Sequence, residues 1–122
     1  MGEHLWGYVD DNILRMTTGL AGGVGRTHQE LCGALSGGVI IIGALYGRVR
    51  PDEDDSDCQE LAAAYRERLV QELGATRCVD LRASGYGSDG QWPCTALVER
   101  AVPILLELLR EANSSRSGQV TP

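Results

Sequence analysis

Phenylalanine is absent from this sequence, and the remaining aromatics are few: Trp6, Trp92, Tyr8, Tyr46, Tyr65 and Tyr86. A core without Phe has to be aliphatic, built from Leu, Ile, Val and Ala packed against glycine. No Cys-x-x-Cys pair occurs among the four cysteines, Cys32, Cys58, Cys78 and Cys94. That absence disfavours a zinc ribbon and a thioredoxin-type site, both of which need closely spaced thiols. The chain does not open with a basic stretch followed by an apolar block; Glu3, Asp10 and Asp11 stand there instead, so no secretory signal is expected and the cytoplasm is the expected location. The longest apolar run, residues 31–46, is broken by Ser36 and several glycines and is too short to span a bilayer, so no membrane insertion is expected. Positive charge is also scarce. The net charge of -6 repels phosphate backbones and anionic lipid, which argues against nucleic acid as a partner. The densest acidic run, Pro51-Asp52-Glu53-Asp54-Asp55-Ser56-Asp57, lacks the alternating ligands and turn glycine of a calcium loop and reads as a hydrated loop.

What is present is an ordinary globular composition, with 43% apolar residues over 122 positions, enough for one core but not two. An all-α fold is expected: a compact bundle of about four helices around a central, glycine-rich, buried helix over residues 28–46. One domain over residues 1–113 and a disordered tail over 114–122 complete the expectation. Asp11 is placed to cap a first helix over 12–21. The glycine cluster Gly22-Gly23-Val24-Gly25-Arg26 reads as a tight turn between helices, since no strand precedes it and no Lys-Ser/Thr ending follows. Thr27-His28-Gln29-Glu30 has the form of a capping box opening the central helix, with Gly47 placed to end it. Gly33, Gly37, Gly38 and Gly43 each cost that helix about 1 kcal/mol relative to Ala. Such a cost implies close approach by another helix or by a bound group, with Gly33 and Gly37 as the candidate contact points.

A second capping box, Ser56-Asp57-Cys58-Gln59, opens a helix over 56–73 that stops at Gly74. Cys58, Leu61, Ala62, Tyr65 and Leu69 share its inward face. A short turn carries Arg77 and Cys78, residues 84–90 form a loop, and Pro93 starts a last helix to about Asn113, with Pro103 expected to kink it.

In a reducing compartment these cysteines are expected to be reduced, redox-active or metal-bound rather than structural disulfides. Cys32 falls in the second turn of the expected central helix, Cys94 in the first turn of the last, and Cys78 beside Arg77. Nearness to a helix N-terminus or a cation lowers a thiol pKa and raises its thiolate fraction. The plain alternative treats cysteine as a small hydrophobe filling a core.

The segment from Gly22 to Gly37 resembles the C-GCAxxG-C-C family of redox-active proteins: a glycine-rich turn leads into Cys32-Gly33-Ala34-Leu35-Ser36-Gly37. Gly74-Ala75-Thr76-Arg77-Cys78-Val79-Asp80-Leu81 is similar to the family's third cysteine site, and Trp92-Pro93-Cys94 to its fourth. The resemblance covers roughly residues 12–109. It implies a helical fold in which Cys32, Cys78 and Cys94 are redox thiols or ligands to a metal or iron–sulfur cluster, in a protein working with a redox partner or a transporter or oxidoreductase component. The family's first cysteine lies on a helix upstream of the glycine turn; no cysteine precedes Cys32 here, so that N-terminal helix is expected to be missing. Cys58, or His28 four positions before Cys32, is then the candidate fourth ligand. An apolar face exposed where that upstream helix would pack makes a homodimer an expectation as well. The rival functional expectation is a non-catalytic helical partner whose cysteines only pack.

Overall fold

The computed structural model describes residues 1–87 and 89–115. Six helices account for its regular structure: α1 (Gly2–Trp6), α2 (Asp11–Thr17, continued by a 3-10 turn Thr18–Leu20), α3 (Gly33–Tyr46), α4 (Ser56–Leu73), α5 (Cys78–Ala83) and α6 (Thr95–Ser115). No strand occurs among the described residues, so the all-α expectation holds, and two isolated backbone bridges stand in for strand pairing, Leu31 with Arg77 and Tyr86 with Trp92.

The core is a three-helix packing of α3, α4 and α6. Leu35 and Ile42 meet Leu61, Tyr65 and Leu69, and α6 closes over them with Ala101, Leu105, Leu108 and Ala112. Those α4 and α6 residues recur at three- and four-residue spacing, which puts them on one helical face. Only one glycine of α3 is explained by this packing. The Tyr65 ring lies so close to Gly38 that a Cβ there would stand 2.2 Å from the ring, and the Tyr65 hydroxyl donates to the Ala34 carbonyl at 2.7 Å. A smaller cluster of Leu81, Tyr86 and Leu97 joins α5, the following loop and the start of α6.

Two expected helix starts are corrected. The central helix begins at Gly33, not His28, and the Thr27–Glu30 capping box does not form. Its place is taken by a left-handed turn, with φ of 60–66° from Gly22 through Arg26 and 62° at His28. A residue at that φ cannot open a right-handed helix. The Thr27 hydroxyl is already committed, donating toward the Gly23 and Val24 carbonyls, while the His28 and Glu30 amides donate to Gly22 and Gly23. The first long helix is capped by Asp10, whose side chain accepts from the Asn12 amide at 2.7 Å, rather than by Asp11.

Elsewhere the boundaries are close. α4 spans the expected residues, though Asp55 rather than Ser56 is its cap residue, and it ends at left-handed Gly74. Gly47 ends α3 in an extended conformation, its amide donating to Gly43. The turn expected at Cys78 is the short helix α5, and α6 begins at Thr95, two residues after Pro93, and carries Pro103 in its interior. It reaches Ser115; the rest of the expected tail, residues 116–122, lies outside the described residues. The acidic loop is organised by Arg48, which donates to the Pro51 carbonyl at 2.8 Å and pairs with Asp55 at 3.7 Å. Among the described residues, no helix is long and apolar enough to cross a membrane.

Candidate functional site

Three of the four cysteines stand at helix beginnings. Cys32 is the cap residue of α3, Cys78 the first residue of α5, and Cys94 directly precedes α6, its carbonyl accepting the Leu97 amide at 3.0 Å. The Leu31–Arg77 bridge aligns the first two. On either side of it the Cys32 amide donates to the Thr76 carbonyl at 2.8 Å and the Cys78 amide to the Glu30 carbonyl at 2.9 Å. In such an antiparallel pair, Cys32 and Cys78 are diagonal neighbours on one face. The Arg77 guanidinium fastens the bridge by donating to the Gln29 carbonyl at 2.7 Å. Cys94 arrives from the other side: Cys32 and Ala96, in the first turn of α6, pack against the same Leu81–Tyr86–Leu97 cluster.

A charge on Cys94 is felt at Cys32, and charges on Cys32 and Cys94 are felt at Cys78. Burial pushes the Cys32 thiol pKa up; the backbone amides of Ala34 and Leu35 pull it partly back, and the proximity of Cys94 raises it again. Burial also raises Cys78, helped by Cys32 and Cys94 and opposed by Arg82. The expectation that helix ends and Arg77 would depress these thiols is therefore overturned at both positions, because desolvation outweighs the local dipoles. Tyr65, whose hydroxyl reaches Ala34 beside Cys32, is pushed up to about 12 by burial and by Cys32. All four cysteines are free thiols, with Cys78 buried, Cys32 half-buried and Cys94 exposed.

The left-handed turn covers Cys78. A Cβ on Gly23 would stand 2.5 Å from the Cys78 Cβ, so glycine is required there both for its φ of 62° and for that contact. Val24, Arg26 and His28, strained by about 1–2 kcal/mol each, belong to the same turn.

The other sequence candidates lie apart from this arrangement. Cys58 packs against the main core on α4. His28 is not on a helix with Cys32, so the four-residue spacing does not put both on one helical face. Gly33 and Gly37 are not pressed by any protein group: the nearest atoms to a Cβ at Gly33 are 3.8 Å away, and none lies within 4 Å at Gly37. Both instead line an apolar cleft of about 790 Å³ between α1, α2, α3 and α6. Gly23 and the Arg77 clamp are the parts of the neighbourhood that sequence inspection missed; Gly38, one of the four glycines expected to mark a close approach, is the one that a neighbouring helix meets.

Among the described residues, no group of three or more His, Cys, Asp and Glu side chains is arranged to hold a metal ion. The described residues as arranged do not fit a metal or an iron–sulfur cluster.

A protein-family model described as "Putative redox-active protein (C_GCAxxG_C_C)" matches residues 1–108. No curated protein and no solved structure matches the chain.

Proposed function

Because the chain belongs to this C_GCAxxG_C_C family, we propose that it works as a thiol redox protein, storing two electrons in the thiols of Cys32, Cys78 and Cys94 and releasing them by forming an intrachain disulfide. The observation that carries this is that three free thiols stand at the starts of α3, α5 and α6, near enough for a charge on Cys94 to act on both Cys32 and Cys78. Two thiols give up two protons and two electrons to make one S–S bond, which needs only an acceptor and solvent. An electron partner is part of the proposal, either a redox protein or a component of a transporter or oxidoreductase, acting in the cytoplasm.

Thiol counting on the unfolded chain before and after mild oxidation with diamide tests this. The expected result is a fall from four thiols to two per chain, with Cys58 among those left. A count that stays at four, or a bridge through Cys58, would sink the proposal. The rival view, in which these cysteines only pack, expects Cys32→Ala to cost some stability and to leave oxidation chemistry unchanged.

A further inference from the structure

We infer that the three thiols have separate jobs: Cys94 attacks a disulfide substrate, Cys32 resolves the mixed disulfide, and Cys78 is kept out of the exchange by the left-handed turn. This rests on the trio being redox thiols and goes on to name the substrate class. Disulfide exchange requires the attacking sulfur to reach the substrate's S–S bond, so access decides which thiol acts first. Cys94 is exposed and Cys78 is only 8% exposed.

The surroundings of each thiol fit its place in the order. Cys94 follows Trp92, whose ring lies 5.3 Å from that of Tyr86 and whose amide donates to Gly85 at 2.9 Å. That pairing holds the segment at the surface with its sulfur available. Cys32 approaches from inside: it packs against the Leu81–Tyr86–Leu97 cluster, as does Ala96, two positions after Cys94. It is half-buried, which hinders a bulky substrate but not a neighbouring sulfur. Cys78 is also near Cys32, but the backbone of residues 23–30 lies over it, through the Gly23 contact and the Cys78 amide bond to Glu30.

The exchange balances in two steps. The Cys94 thiolate attacks one sulfur of a disulfide R–S–S–R; that S–S bond breaks, and the second sulfur leaves and takes a proton from solvent. Cys32 then loses its proton to solvent and attacks the Cys94 sulfur, forming the Cys32–Cys94 bond and releasing the second R–SH. The substrate gains two electrons and two protons, the protein loses them, and a dithiol reductant restores the pair.

The test uses the reduced full chain carrying Cys58→Ala, mixed with one equivalent of dithiobis(nitrobenzoate), with adducts located by peptide mass mapping. Two equivalents of thionitrobenzoate released and a Cys32–Cys94 bridge are expected. A further Cys32→Ser change should stop the reaction at one equivalent, with a stable adduct on Cys94. A further Cys94→Ser change should slow the first release at least tenfold. Acid quenching of the Cys58→Ala chain at early times should catch the Cys94 adduct even if the Cys32 variant folds poorly. A first adduct on Cys32 or Cys78, or a final bridge containing Cys78, overturns these assignments while leaving the redox proposal standing. No intrachain bridge at all overturns both.

Discussion

At the scale of single residues, desolvation decides the character of the site. Cys32 and Cys78 have their pKa values raised chiefly by burial, so their thiolates are scarcer near neutral pH than those of an exposed cysteine. The sign of the stability effect follows. A folded-state pKa above the unfolded value means that the native chain holds its protons longer, so stability is complete below the unfolded thiol value of about 8.5 and falls as pH rises toward the folded values. Melting temperatures measured from pH 7 to 10 should decline over that window, and Cys32→Ala should decline less steeply. Tyr65 makes a second residue-scale prediction. Its hydroxyl bond to Ala34 is one part-buried hydrogen bond, so Tyr65→Phe should cost about 1 kcal/mol in denaturant unfolding.

At the scale of elements, the glycines of α3 separate by what faces them. Gly38→Ala would drive a methyl into the Tyr65 ring and should destabilise by about 1–3 kcal/mol. Gly37→Ala meets no atom within 4 Å and removes an entropic cost, so it should stabilise by about 0.5–1 kcal/mol. Chemical denaturation of the two variants side by side checks both signs. Much at this scale was legible in the sequence. The α4 boundaries followed from Ser56 and Gly74, and the inward face of Leu61, Tyr65 and Leu69 from helical spacing. The start of α3 was not legible, because Thr27 and Glu30 have the local form of a capping box while the backbone between them is committed elsewhere. The Glu30 carbonyl and Cys32 amide are taken by residues 76–78, more than forty positions away, and a local signal cannot anticipate a distant partner. The same pairing explains why Cys32 caps its helix instead of lying inside it.

At the scale of the whole molecule, the helices deliver residues far apart in sequence to one place. The choice of Cys32, Cys78 and Cys94 as the residues that matter came from a family resemblance over most of the chain; their juxtaposition is a property of the fold, since spacings of 46 and 16 residues carry no geometric information. Desolvation was hidden for the same reason: burial of Cys78 depends on the turn folding back over it. A bridge between Cys32 and Cys94 would tie the start of α3 to the start of α6 and close a loop of some sixty residues, worth about 4 kcal/mol on the chain-entropy model. Oxidised chain should therefore melt above reduced chain, as calorimetry with and without dithiothreitol would show.

Equilibrating the chain across a series of oxidised and reduced dithiothreitol buffers, then counting free thiols, tests the redox assignment most directly. A single transition removing two thiols per chain is expected, following two-electron behaviour of about 30 mV per tenfold change in the buffer ratio, and absent when Cys32 is replaced by Ala. Four thiols at every ratio would contradict it, and a transition unaffected by Cys32→Ala would contradict the place of Cys32 in it.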